Sequence, residues 1–225
     1  MRLLSTFTLL LICLTAFGQT FPKKDRRHPV DTLVNGFKKQ KPLTFYPGTY
    51  IDTESGYIDS TGISVIIQNS LPKGGAYTDP AGKNIQYRIF WTRVINESQT
   101  SLELTINFSG STVPLTPPPD PYLQLFLPPD TMTLSKEGLY DYGATGLKSF
   151  IDSGLNKSTT LKRTINPKEA CLFYIGAVIG EGGFSSAARA GLVLKGRNVF
   201  YTIKGISEQL DSALIPCGQI VIKNE

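Results

Sequence analysis

Residues 85–108 have the sequence IQYRIFWTRVINESQTSLELTINF, and this stretch decides the predicted fold. Its second part, 102–108, alternates strictly between apolar and polar side chains. In its first part, 85–95, an apolar residue also stands at every second position, until Phe90 breaks the pattern. A period of two is typical of a β-strand that buries one face. Two such runs joined by a short polar connection predict a β-hairpin with one buried face.

Similar patterns continue on both sides of this stretch. Runs rich in β-branched and aromatic residues predict further strands at 62–68, 122–127, 159–165, 170–179, 191–194, 199–204 and 215–223. Seven prolines between residues 114 and 129 make 122–127 an edge strand, because proline donates no backbone hydrogen bond. Residues 143–155 contain the one run in which apolar residues have the spacing of a helix face, so this segment is predicted to be helical. The sequence therefore predicts an all-β protein, an antiparallel β-sandwich of about eight or nine strands with one short helix.

One run carries a resemblance to a known family. Residues 161–173, LKRTINPKEACLF, follow a segment of the form Asn-Glu-Ser…Leu-Glu-Leu. The run resembles immunoglobulin-like sandwich modules of secreted bacterial proteins, in which a Pro-Lys/Gly-Glu turn separates two consecutive strands. Lys168 stands where glycine is expected in that turn. The resemblance implies an immunoglobulin-like fold and implies no site residues.

The N-terminus has the features of an export signal. Residues 1–18, MRLLSTFTLLLICLTAFG, combine Arg2, an apolar stretch and small residues before a cleavage point ahead of Gln19. This pattern predicts a signal peptide at 1–18, with a retained N-terminal anchor as the alternative. The mature chain is then expected to be secreted or periplasmic, with no stable membrane span after cleavage.

The positive charge is concentrated behind the signal. Residues 19–45 carry seven basic and two acidic groups, whereas residues 46–225 carry 15 basic and 16 acidic groups. We therefore divide the mature chain into a basic arm or linker, 19–45, and a single β-sandwich domain, 46–225. The arm is interpreted as a solvated linker; alternatively, it contacts anionic surfaces or is a pro-segment removed at its paired basic residues. The body lacks interleaved basic and aromatic residues, which disfavours nucleic acid as a partner.

Two cysteines remain after signal cleavage. Cys171 and Cys217 are predicted to form a structural disulfide in an oxidising compartment, joining the last strand to its neighbour. In the chain-entropy model such a bond contributes on the order of 4 kcal/mol. A redox or metal pair is the weaker alternative, because the spacing is wide and no histidine lies nearby.

The single histidine limits the chemistry of the chain. His28 lies in the basic arm, where a general base is poorly held, so histidine-dependent and zinc-dependent catalysis are disfavoured. The glycine-rich loop 180–186 matches neither a nucleophile elbow nor a phosphate loop. We therefore predict that the protein is not an enzyme and has no catalytic residues or cofactor.

Two groups of residues are the candidate sites. Asp52, Glu54 and Asp59 lie in DTESGYID; turn chemistry explains them, and a calcium site or a glycosidase pair are the alternatives. Aromatic residues in turn-like segments supply the materials of a glycan-binding surface. These residues are Tyr46, Tyr50, Tyr57, Tyr77, Tyr140 and Tyr142.

The functional hypothesis follows from these observations together. The chain is predicted to be a non-catalytic secreted or cell-envelope β-sandwich that acts as an interaction or binding module. Its partner is expected to be an envelope protein or a glycan. The alternative is a carbohydrate-active protein, either a glycan-binding module or a carboxylate-dependent hydrolase.

Overall fold

A computed structural model describes residues 50–114, 122–179, 189–204 and 214–223. The predicted signal peptide, the basic arm with His28, Tyr46 and the loop 180–186 lie outside these residues. The strands are β1 (Ile51–Ile58), β2 (Ser64–Ser70), β3 (Lys73–Thr78), β4 (Asn84–Asn96), β5 (Leu102–Phe108), β6 (Val113–Pro114), β7 (Tyr122–Phe126), β8 (Thr159–Ile165), β9 (Ala170–Ile179), β10 (Arg189–Lys195), β11 (Asn198–Lys204) and β12 (Leu214–Ile222). Two 3-10 turns span Leu134–Lys136 and Tyr140–Gly143, and the helix α1 spans Leu147–Ser153.

The strands form two antiparallel sheets. The first sheet has the order β1-β2-β4-β9-β7-β6, with β3 paired to the first half of β4, and the second has the order β10-β11-β12-β5-β8. The predicted all-β antiparallel sandwich is therefore confirmed. The strand β7 lies close to the sheet edge, because within the described residues just the two residues of β6 pair beyond it.

The described residues contain more strands than the eight or nine predicted. The strands β1, IDTESGYI, and β3, KGGAYT, are not among the predicted strands, because their sequences are poor in buried apolar residues. They extend because β2 pairs with β1 along its length except for an irregularity at Asp52, and β4 pairs with every residue of β3. The turn interpretation of residues 52–58 is therefore wrong.

The predicted hairpin between 85–95 and 102–108 is also wrong. β4 pairs with β2, β3 and β9 in the first sheet, and β5 pairs with β8 and β12 in the second. The polar connection after β4 therefore crosses from one sheet to the other. Alternation showed correctly that each strand has buried faces, but it carries no information on which strand lies beside it.

The crossing is built around Asn96, which is fully buried. Its amide nitrogen donates to the carbonyl oxygens of Thr100 and Ile165, at 2.8 Å each, and its amide oxygen accepts from the Ser98 amide at 2.8 Å. The β8–β9 connection crosses beside it, since the Lys168 amide donates to the Asn96 carbonyl oxygen. Two sheet-to-sheet connections are thus held together by one side chain.

Apolar residues are buried on both faces of the first sheet. Phe90 and Val94 face the sandwich core, where they meet residues of the second sheet such as Leu104. Trp91 and the residues that alternate with it face outward into a second core. That second core is covered by side chains from residues 132–155, including α1, which form a third layer. The break at Phe90 therefore marks a strand that is buried on both sides.

Both cysteines of the body are free thiols in the structure, so the predicted disulfide is not formed. Cys171 lies on β9 in the first sheet, and Cys217 lies on β12 in the second. The two strands are therefore not neighbours in a sheet, although the sequence predicts that they are. Burial raises the pKa of Cys171 to about 11 and that of Cys217 to about 12. Within the described residues, no helix is long and apolar enough to cross a membrane.

Candidate functional site

The three carboxylates singled out in the sequence each have a structural partner. Asp52 forms an ion pair with Arg189 at 3.2 Å, and Glu54 accepts a hydrogen bond from the side-chain amide of Gln68. Asp59 closes the turn after β1, where its carboxylate accepts from the amides of residues 61 and 63, at 2.9 and 2.8 Å. Turn chemistry therefore accounts for Asp59 but not for the other two.

The structure does not bring Asp59 together with Asp52, and Asp52 and Glu54, although close on β1, are each engaged by a separate partner. Asp52 and Asp59 lie seven positions apart at opposite ends of β1, and a strand advances about 3.3 Å per residue, so roughly 20 Å separates them. A glycosidase pair requires no more than about 9.5 Å. Among the described residues, no group of three or more histidine, cysteine or acidic side chains is arranged to hold a metal ion.

A different site lies in the third layer, at the turn Tyr140–Gly143. Three consecutive residues, Asp141, Tyr142 and Gly143, have left-handed φ angles of 47°, 55° and 66°. The left-handed conformation costs an ordinary L-residue roughly 1–2 kcal/mol, so two such residues in a row require strong support from their surroundings. The site is therefore built on a backbone that the rest of the fold holds in place.

Three buried hydroxyl groups hold this turn against the first sheet. The Tyr142 hydroxyl donates to the Leu71 carbonyl oxygen at 2.6 Å, and the Tyr174 hydroxyl donates to the Tyr142 carbonyl oxygen at 2.7 Å. The Tyr87 hydroxyl donates to Oδ2 of Asp141 at 2.7 Å. Because Tyr87 and Tyr174 lie on β4 and β9, the sheet fixes the geometry of the turn.

Lys73 fastens the start of the same turn. Its ammonium donates to the carbonyl oxygens of Glu137 and Leu139 at 2.6 and 2.7 Å. It also lies 4.2 Å from the ring centre of Tyr50 and 4.1 Å from that of Tyr142, distances typical of cation–π contacts. Burial lowers the pKa of Lys73 from its ordinary value. Lys73 is therefore a positioning residue for the turn.

A cavity of about 370 Å³ opens beside the turn. We call it the Asp141 pocket. Its polar lining consists of Tyr87, Tyr140, Asp141, Lys148 and Ser149. Small apolar residues, Ala76 and Ala144, and the buried Leu147 supply the rest of the wall. Its volume lies at the lower end of the range of about 300–1,000 Å³ that is usual for small-molecule sites.

Asp141 is the unusual member of this lining. Only 6% of its surface is exposed, and its Oδ1 atom is buried without a hydrogen-bond partner among the described residues. Burial, together with hydrogen bonds to Asp141 and Tyr140, holds the pKa of Tyr87 well above its ordinary value. Tyr140, Tyr87 and Asp141 thus form a chain of polar groups from the surface to the buried carboxylate.

The rim of the pocket carries an exposed aromatic ring. Tyr140, which lines the cavity, is 77% exposed. The other large hydrophobic side chains that the described part of the chain leaves exposed are Leu134 and Leu139, at 46% and 54%, and neither lines the cavity. An exposed aromatic ring beside a pocket marks a surface that contacts other molecules.

The tyrosines predicted as a glycan-binding surface have separate locations. Tyr140 lines the pocket, and Tyr77 lies near it, with its ring 5.8 Å from the Lys148 ammonium. Tyr50 is partly buried against the second core, and Tyr57 is partly buried against the sandwich core. Tyr142 is fully buried. Asp141 is not among the residues predicted from the sequence, although it stands between Tyr140 and Tyr142, because no local pattern indicates that it is buried.

Comparisons of the chain with protein-family models, with curated proteins and with solved structures found no match. The site is therefore interpreted from its own geometry.

Proposed function

We propose that the protein is an exported, non-catalytic binding module and that the Asp141 pocket receives its ligand. The observation that carries this proposal is the buried Oδ1 atom of Asp141, which lacks a partner among the described residues. A buried charged acceptor without a hydrogen bond costs about 1–3 kcal/mol or more. A group with this cost, on a left-handed turn beside a cavity, is typical of a functional site.

The lining of the pocket supports binding over catalysis. Among the described residues that line it, Asp141 is the single carboxylate. Glycoside hydrolysis in most families requires two carboxyl groups, one as acid and one as base or nucleophile. The described lining also lacks cysteine and histidine, and its serine and lysine, Ser149 and Lys148, are adjacent residues of α1 that do not face each other as a nucleophile and its base. A pocket of this composition holds a ligand without supplying the groups for its hydrolysis.

The proposed location depends on the N-terminal sequence. The apolar stretch within residues 1–18 supports export, and we propose that the mature chain begins at Gln19 and works in the envelope or outside the cell. Mass spectrometry of the protein from its native compartment tests this proposal. A mature chain that begins at Gln19 is expected, and a chain that still begins at Met1 contradicts export with cleavage.

A comparison of the wild type with Ala76→Trp tests the binding site. Ala76 lines the pocket from an exposed position, so an indole there fills the cavity without removing a polar group. A ligand at 100 times its Kd adds about 2.7 kcal/mol of stability. That corresponds to a rise in Tm of roughly 5–11 °C for a domain of this size.

The screen uses soluble envelope extracts, glycans, amines and amino acids. At least one of these samples is expected to raise the Tm of the wild type but not that of Ala76→Trp. Equal stabilisation of both proteins places the ligand elsewhere, and stabilisation by no fraction contradicts the proposed function. Release of product from chromogenic glycosides, lost in Asp141→Asn, contradicts the non-catalytic assignment.

A further inference from the structure

We infer that the ligand of the Asp141 pocket is a neutral saccharide, bound through the hydroxyl groups of one pyranose ring. This inference rests on the proposed function and specifies the chemistry of the ligand. It follows from the charge balance of the pocket, the arrangement of donors and acceptors in it, and the exposed aromatic ring at its rim.

The pocket offers both donors and acceptors within a small volume. The carboxylate of Asp141 accepts only and the ammonium of Lys148 donates only. The Tyr87 hydroxyl, whose proton is donated to Asp141, can accept, and the hydroxyl groups of Tyr140 and Ser149 do either. A sugar ring carries adjacent hydroxyl groups, each of which is both a donor and an acceptor. Such a ligand satisfies every member of this set, and a hydroxyl bound to Tyr87 joins the hydrogen-bond chain that ends at Asp141.

The charges of the lining balance, which disfavours charged ligands. Asp141 provides one negative charge and Lys148 one positive charge. An organic amine is attracted to the carboxylate but repelled by the ammonium, and inorganic phosphate meets the reverse arrangement. A neutral polyhydroxy compound meets neither penalty.

Tyr140 supplies an apolar surface for the ring. Its side chain is 77% exposed at the mouth of the pocket, although the backbone beneath it is held by the buried neighbours Asp141 and Tyr142. A tyrosine loses little conformational entropy on binding and presents a large flat contact area. The C–H face of a pyranose is apolar and packs against such a ring. The cavity of about 370 Å³ limits the enclosed part of the ligand to a small unit.

Calorimetric titration with defined probes tests the inference. The probes are neutral hexoses, N-acetylhexosamines and their dimers, with putrescine and inorganic phosphate as charged comparisons. We expect at least one neutral sugar to bind and both charged probes to fail. We also expect the affinity for the sugar to stay within a factor of two when the salt concentration is raised from about 0.01 to about 1 M, because no net charge is neutralised on binding.

Three variants locate the contacts. Tyr140→Ala is expected to weaken sugar binding at least tenfold, whereas Tyr140→Phe, which keeps the ring, should lose less. Leu139→Ala is the matched control, because Leu139 is equally a surface residue of the same segment but does not line the cavity. Both side chains are exposed, so the fold should persist in all three variants, and circular dichroism checks this.

The outcomes separate the inference from the proposed function. Binding of putrescine or phosphate, without any sugar, overturns the saccharide inference and leaves the proposed binding function intact. Sugar binding that Tyr140→Ala leaves unchanged also overturns the inference. Failure of all probes, together with a blank result in the Ala76→Trp comparison, overturns both.

Discussion

The side chain of Asn69 pairs with both backbone polar groups of Leu192, across the two sheets. Asn69 Nδ2 donates to the Leu192 carbonyl oxygen at 3.1 Å, and the Leu192 amide donates to Asn69 Oδ1 at 2.9 Å. Asn69 lies on β2 and Leu192 on β10, which belong to different sheets. Among the described residues β10 is the first strand of its sheet, and a side-chain amide takes the place of a strand neighbour there and links the two sheets.

Replacing Asn69 by alanine is expected to lower the free energy of unfolding by about 2–4 kcal/mol. The variant leaves the amide and the carbonyl of Leu192 buried without partners, at about 1–3 kcal/mol each. Urea unfolding measures the change. Asn107→Ala is the control, because Asn107 is an exposed asparagine on β5 whose loss should change stability by no more than about 0.5 kcal/mol. Equal effects of the two substitutions contradict the assigned role of Asn69.

Gly191→Ala is expected to destabilise the fold by about 1–3 kcal/mol, because a Cβ atom there would lie 2.5 Å from Cγ of Asn69. In the Asn69→Ala background the cost should be smaller, since the obstructing side chain is gone. A double-mutant cycle measures this coupling. Gly138→Ala, at a position with open space around it, is the control and should be close to neutral. Strict additivity of the two substitutions contradicts the predicted contact.

Lys73→Met is expected to reduce stability by about 2 kcal/mol and to loosen the turn that carries Asp141. The variant removes two charge-assisted hydrogen bonds to backbone carbonyls and two cation–π contacts. Hydrogen exchange in residues 134–143 should be faster in the variant than in the wild type, whereas exchange in β9 should change less. Lys162→Met, which removes an exposed lysine of the second sheet, should leave both measurements unchanged. Unaltered exchange in Lys73→Met contradicts its positioning role.

Lys168→Gly is expected to raise the free energy of unfolding by about 0.5–1 kcal/mol. Lys168 has a φ of 65°, in the left-handed region that favours glycine, within the Asn166–Glu169 turn. Glycine removes that strain, and the lost ion pair with Glu97 is worth little because the lysine side chain is 55% exposed. Lys168→Ala loses the same ion pair and keeps the strain, so it should be less stable than the wild type. Thermal unfolding compares the three proteins, and a less stable glycine variant contradicts the prediction.

The mature protein is expected to contain two free thiols. Denatured without reductant, it should react with two equivalents of Ellman's reagent, whereas no reaction indicates the Cys171–Cys217 disulfide that the sequence suggested. The folded protein should react slowly at pH 8, because burial raises the pKa of Cys171 to about 11 and that of Cys217 to about 12 and keeps both protonated. Cys171→Ser and Cys217→Ser should each remove one equivalent.

The local structure of most strands was predictable from the sequence. The bounds of β5, β8 and β9 match the predicted ranges, and α1 lies within the predicted helical segment. These elements bury a regular face, and their period of two or of 3.6 is a property of consecutive residues. β1 and β3 were missed because their own sequences are polar or rich in glycine, and pairing with β2 and β4 overrides that preference.

The candidate site was decided by tertiary structure alone. Tyr140 and Tyr142 are similar in sequence, yet one is 77% exposed and the other fully buried, because a left-handed turn separates them. Asp141 meets Tyr87 across 54 positions of the chain. The sequence by itself determined the fold class, the faces of the main strands and the concentration of charge at the N-terminus. Strand neighbours, the state of the two thiols and the pocket depend on contacts between distant residues, which local periodicity does not encode.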